Sequence, residues 1–209
     1  IKGMQNETTT IVFEGVDRSG KDTLIDKLKS NLENDGFSVG LYRNPDHPVR
    51  DMLLSTDTDL NEYENALVFY AGYLHTERQI RESDHDVALI NRRLLSTCVY
   101  QRIGDAIPFA NFKKLFDYKQ LMQVDLTLIL SVDDNIIKKR IENVELDEDD
   151  RFESKAEKLY ERSELYDHLI PNLNDHGMLE TLTKEIKTLK NNNKSDLEHN
   201  TRFILDWFF

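Results

Sequence analysis

The 209-residue chain is 39% apolar with a formal net charge of −12. That is enough apolar material for one full core, and the charge opposes a broad phosphate-tracking surface, because duplex affinity comes from clustered Lys and Arg. No apolar run approaches the roughly eighteen residues of a membrane span, and residues 1–9 lack the charged-then-apolar order of a signal peptide. With a single cysteine, Cys98, no internal disulfide is possible, and a cytoplasmic, single-domain protein without a membrane partner is expected. Ile1-Lys2-Gly3 ahead of Met4 are not expected to belong to the fold.

In chain order, Thr10-Ile11-Val12-Phe13 is an apolar strand that runs into Glu14-Gly15-Val16-Asp17-Arg18-Ser19-Gly20-Lys21-Asp22-Thr23. Gly15 and Gly20 allow the backbone to curl with its N–H groups inward. The following helix adds its positive end, and Lys21 can reach the β- and γ-phosphates of a nucleotide. The phosphate-loop pattern GxxxxGK[ST] asks for a metal-ligating hydroxyl at position 22; this chain supplies Asp22, with a hydroxyl only at Thr23. The alternative is an ordinary glycine turn.

Leu24, Ile25, Leu28 and Leu32 recur at helical spacing, Asp35-Gly36 stops that helix, and Phe37–Tyr42 reads as a strand. Residues 61–83 read as a long helix, Asp86–Ile90 as a short strand and Leu94–Ile103 as a helix. Asp125–Val132 has almost no polar alternation, as expected of a strand covered on both faces. Asp133–Ile141 and Glu153–Leu169 read as helices around an acidic stretch, Glu142–Asp150, expected to be a solvated loop. Leu169–Asn174 reads as a last edge strand in spite of Pro171, and Met178–Leu189 as a closing helix. The alternation predicts a doubly wound α/β sheet with ligands at the carboxyl ends of its strands. The tail from Asn191 ends in Phe203–Phe209, apolar enough to pack on the body or on a second subunit.

The strand ending at Ile90 delivers Asn91–Gln101 to the same sheet edge as the loop. The Arg92 guanidinium suits a phosphate and cannot lose its charge, which makes it a natural clamp for the group being phosphorylated. An Arg-Arg pair by itself is more often a surface salt-bridge element.

At these residues the chain resembles the thymidylate kinases, P-loop enzymes that transfer the ATP γ-phosphate to dTMP. Phe13–Lys21 is similar to their phosphate loop, and Asn91–Gln101 to their DR(Y/H)xxSxxAYQ segment at Arg92, Ser96, Tyr100 and Gln101. Asp125–Leu128 is similar to their PDLT strand and Asp150–Glu153 to the DRxE of their lid. The resemblance spans about residues 9–190 and implies a P-loop kinase fold: a five-stranded parallel sheet over residues 4–190, flanked by helices, with a short lid at about 142–153.

It also implies roles. Gly15, Ser19, Gly20, Lys21, Asp22 and Thr23 would hold ATP phosphates, Arg18 would neutralise charge in transit, and Asp17 would approach the sugar 3′-hydroxyl. Arg92 would grip the acceptor phosphate and Tyr100 would pack on the deoxyribose. Thr97 and Gln101 would face the base, and Arg151 would close from the lid. Arg50 is a candidate contact to base or phosphate, with a surface role equally open. ATP, Mg²⁺ and a homodimeric state are implied with the family.

Two departures surround the expected metal: the family hydroxyl is Asp22, and the family aspartate is Asn91. One adds a carboxylate and the other removes one, so the pair reads as an exchange that keeps local charge; the competing reading is a damaged site that binds nucleotide without turnover. The base pocket departs as well. One helix register places Val68 and Gly72 where the family has a stacking phenylalanine and a base-bonding arginine; a one-residue shift offers Phe69 and Tyr73. Phe69, Tyr70 and Tyr73 also suit a core. Gly72 would leave room beside the ring, which suggests a pyrimidine with a larger 5-substituent or relaxed base choice. A hydroxyl acceptor on a nucleoside or modified base, even within DNA, is a further alternative.

Overall fold

In a computed structural model, residues 7–54, 60–104, 107–115, 117, 120–142 and 156–209 are described. The first half comprises β1 (Thr9–Glu14), α1 (Lys21–Asn34), β2 (Val39–Arg43), α2 (Val49–Leu54), α3 (Glu62–Glu82), β3 (Val87–Asn91) and α4 (Leu94–Tyr100). There follow α5 (Phe109–Leu115), β4 (Val124–Ser131), α6 (Asp134–Glu142), α7 (Ala156–Asp175), α8 (Leu179–Leu182), β5 (Thr183–Lys190) and α9 (Lys194–Phe208). The strands form one parallel five-stranded sheet in the order β2-β3-β1-β4-β5. Residues 143–155, with Arg151 and nearly all of the expected lid, lie outside the described residues.

The three central strands are buried almost throughout, which is why their sequences show continuous apolar runs. Their side chains alternate between two cores. On one face, Ile11, Phe13, Leu89, Leu126 and Leu128 meet Leu24, Leu28 and Leu32 of α1 and Ile204 of α9. Val12, Ala88 and Ile90 point the other way, towards Ile80 of α3, and a larger cluster from α3 to α7 extends that layer. α3 starts where the sequence supplies a capping box. The Asn61 side chain accepts from the Tyr63 and Glu64 amides at 2.9 and 3.0 Å, and Glu64 accepts from the Asn61 amide at 2.9 Å.

Two expectations for the C-terminal third are overturned. Leu169–Asn174 is not a strand but the end of α7, Pro171 included. Tyr166, Leu169 and Leu173 fall on one buried helical stripe, and this packing outweighs the backbone donor that proline lacks. Met178–Leu189 is not a helix: after the four-residue α8 the chain forms β5, paired with β4 from Val124↔Thr183 to Ser131↔Lys190. As an edge strand, β5 buries only part of its side chains. α9 lies along α1; Phe37 meets Phe208 edge-on at 5.0 Å, and Trp207 donates its indole N–H to Glu185 at 2.9 Å. Among the described residues no helix is long and apolar enough to cross a membrane.

Candidate active site

β1 and β3 are neighbours with Phe13 opposite Asn91, so the loops leaving their carboxyl ends open side by side. The β1–α1 loop needs its glycines: Gly15 has φ +131° and Gly20 φ +88°, and a Cβ on Gly15 would sit 2.6 Å from the Leu130 carbonyl oxygen. Lys21 is buried, its Nζ donating to the Gly15 and Val16 carbonyls at 2.8 and 2.7 Å and to Ser19 Oγ at 3.4 Å. Burial, and then the Arg92 charge, lower its pKa to about 7.

A phosphate needs the ammonium form, so nucleotide affinity is expected to fall as pH rises above about 7, by up to about tenfold per unit, with a proton taken up on binding at about pH 8. Calorimetry in two buffers of different ionisation heat measures that uptake. Equal heats would show that Lys21 is already charged.

The loop is braced from behind by residues that the sequence reading did not single out. Asn191, just after β5, donates Nδ2 to the Ser19 carbonyl at 2.7 Å. Arg140 of α6 donates to the Arg18 carbonyl at 2.8 Å and to the Asn191 and Asn192 carbonyls at 2.7 and 3.1 Å. Arg18 itself has φ +63°. Thr23 is exposed on the first turn of α1.

Arg92 also adopts a left-handed backbone, φ +70°. Its amide donates to the Phe13 carbonyl at 2.9 Å, and its carbonyl accepts from Asn44 Nδ2 at 3.0 Å, Asn44 being held in turn by Thr76 at 2.7 Å. The guanidinium donates to Ser96 Oγ at 3.2 Å and Tyr100 Oη at 3.1 Å, and forms an ion pair with Asp17. Burial acts to raise the Asp17 pKa, but Arg92 and Lys21 outweigh it and hold the carboxyl below its usual range. Arg162 of α7 adds a second guanidinium over the Tyr100 ring, 4.2 Å from its centroid. The structure thus brings Asp17, Lys21, Arg92 and Tyr100 together and adds Arg162, whose place in the site had no local signal.

Asp22 and Asn91 are in contact, Asn91 Nδ2 donating to Asp22 Oδ1 at 2.6 Å. Asn91 is 8% exposed, and its Oδ1 is buried without a hydrogen-bond partner. An orphaned amide oxygen beside an exposed carboxylate is an oxygen donor set that suits Mg²⁺.

The base side is more closed than the sequence suggested. The space at Gly72 is filled by Val49 of α2, 3.5 Å from where a Cβ would stand. Tyr73 is a core residue, donating to the Arg93 carbonyl at 3.0 Å and bonded to the Thr97 hydroxyl, so that Thr97 is 2% exposed. Phe69 packs partly buried on the same cluster, and Gln101 is buried at the end of α4. Arg50 lies half-buried on α2.

A family model for thymidylate kinase matches residues 13–193. The chain belongs to the thymidylate kinase family. The probable thymidylate kinase of Methanosphaera stadtmanae is 30% identical over 160 residues, 72% of this chain and 80% of that protein. The thymidylate kinase of Finegoldia magna is 28% identical over 162 residues, 73% and 79% of the two chains. The crystal structure of thymidylate kinase from Ehrlichia chaffeensis has the same fold, with a TM-score of 0.67 at 20% identity over 97% of this chain and 99% of that one. As a member of the thymidylate kinase family, this chain is a phosphotransferase.

Proposed function

We propose that the chain is an ATP- and Mg²⁺-dependent deoxynucleoside monophosphate kinase that passes the γ-phosphate to dTMP or a related pyrimidine monophosphate. The observation that carries this reading is the pairing of β1 with β3, which sets the Lys21 loop beside the Arg92 clamp with Asp17 between them. In the proposed reaction an acceptor phosphate oxygen held by Arg92 attacks the γ-phosphorus in line. The bond from that phosphorus to the β–γ bridging oxygen breaks, and ADP leaves. Lys21 exchanges its loop carbonyls for phosphate oxygens, Arg18 offsets charge on the transferred group, and Tyr100 flanks the sugar.

Asp22 and Asn91 Oδ1 would hold Mg²⁺, which when bound supplies charge neutralisation at the phosphates. The unpartnered Asn91 oxygen favours a working exchange over a damaged site. With Val49 over Gly72, a large 5-substituent has no ready space there, and the reading favours dTMP-sized bases. Purified protein with ATP, Mg²⁺ and dTMP, dUMP, dCMP or a 5-substituted dUMP is expected to release ADP with a thymine-sized acceptor and to stop when EDTA is added. No ADP with any of these acceptors would sink the proposal.

A further inference from the structure

Glu14 closes β1 directly behind the acceptor clamp and is fully buried. One of its oxygens accepts from the Arg93 amide at 2.9 Å. The other accepts from Ser96 Oγ, and from Tyr166 Oη of α7 at 3.3 Å; Ser96 and Tyr166 are themselves 3.0 Å apart. A buried carboxylate so thoroughly supplied with donors, one residue before the phosphate loop, is costly unless it does something there.

We propose that Glu14 is a positioning residue for the acceptor clamp, fixing both the backbone and the guanidinium of Arg92. The inference rests on the reading of Arg92 as the acceptor grip. The backbone half works through the Arg93 amide: anchoring it on Glu14 keeps the preceding residue in its left-handed conformation, which a side-chain-bearing residue leaves unless held. The guanidinium half works through Ser96. A hydroxyl has one proton; because Ser96 gives that proton to Glu14, its lone pairs face Arg92 Nη1 at 3.2 Å. Glu14 therefore touches no substrate and acts through two neighbours that meet at Arg92.

Glu14→Gln separates this role from bulk packing, because an amide cannot satisfy both halves. With its NH₂ towards Ser96 and Tyr166 it presents a donor where two hydroxyl protons need an acceptor. Flipped, it presents that donor to the Arg93 N–H and releases the backbone. The test is calorimetric binding of dTMP and of ATP, with steady-state kinetics, on Glu14→Gln, Ser96→Ala and Arg92→Ala.

Glu14→Gln is expected to weaken dTMP binding and raise its KM about tenfold or more, with ATP binding changed less than about threefold. Ser96→Ala, which leaves the Arg93 anchor in place, should show the same selectivity at a smaller size and serves alone if Glu14→Gln does not fold. Equal weakening of both nucleotides, or unchanged dTMP binding in both variants while Arg92→Ala loses it, overturns the proposal. Unchanged dTMP binding in Arg92→Ala would instead remove the grip on which the proposal rests.

Discussion

Lys21→Ala is expected to lower kcat/KM by about a thousandfold, the scale of removing one pre-placed charge from a developing phosphoryl group. Much of the cradle's shape comes from Gly15 and Gly20 and from the braces of Asn191 and Arg140, although the change also removes the donor to the Gly15 and Val16 carbonyls. ATP binding should fall too, by as much as deprotonating Lys21 costs the parent at high pH, and turnover by more. Stability should not fall with it, because a buried ammonium pressed towards neutrality costs desolvation that an alanine does not. The measurement is ADP release beside a thermal melt. A variant that melts at or above the parent temperature yet retains turnover within about tenfold would remove Lys21 from the chemistry.

Reversing the carboxylate exchange has the second-largest expected effect. Asp22→Ser alone leaves the Asn91 amide facing a hydroxyl and takes the anionic ligand away, and about a hundredfold loss in kcat/KM is expected, with a higher Mg²⁺ requirement. Asn91→Asp alone sets two carboxylates 2.6 Å apart where a hydrogen bond stood, so it too should lose activity, and one of the pair should take up a proton. The double variant carries a single carboxylate at the site again, now on β3, and is expected within about fivefold of the parent. Losses that simply add in the double variant, or an Asp22→Ser protein more active than the parent, would show that the two positions are independent. Half-saturation by Mn²⁺ binding, read without turnover, follows the same cycle.

The parts of the molecule that were legible in the sequence are those whose signal is local. The phosphate loop declares itself because two glycines, a lysine and a following helical stripe fall within adjacent residues, and β4 because a strand covered on both faces has little choice but to be apolar. β5 misled for the complementary reason. Leu179, Leu182, Ile186 and Leu189 are spaced like a helical stripe, while the solvent-open edge strand carries Lys184, Glu185, Lys187 and Lys190, which dilute the apolar signal of a strand. Pro171 misled because α7 retains its buried Tyr166-Leu169-Leu173 stripe around it.

At the site, Lys21 and Arg92 could be named from their own neighbourhoods, while Asp17 came with the family resemblance alone. Asn44, Arg140, Tyr166 and Asn191 could not, since each reaches the site from a strand end or helix remote along the chain; Glu14 stands next to the loop, but its partners Arg93, Ser96 and Tyr166 do not. The position of Val49 of α2 beside Gly72, in ordinary van der Waals range of where a Cβ would stand, was likewise invisible in the sequence.

The docking of α9 along α1 places the chain's one tryptophan on a single side of the sheet. Trp207 joins the cluster behind the phosphate loop, with its indole N–H engaged by Glu185, while the α3-to-α7 layer contains no indole. Tryptophan fluorescence, excited selectively, thus follows the layer that supports α1 rather than the opposite one, whose fluorophores include Tyr73 and Tyr166. An emission shift during chemical unfolding that precedes the loss of far-ultraviolet helical signal would mean that the C-terminal helix peels away first, leaving the helix that anchors Lys21 exposed along its outer face.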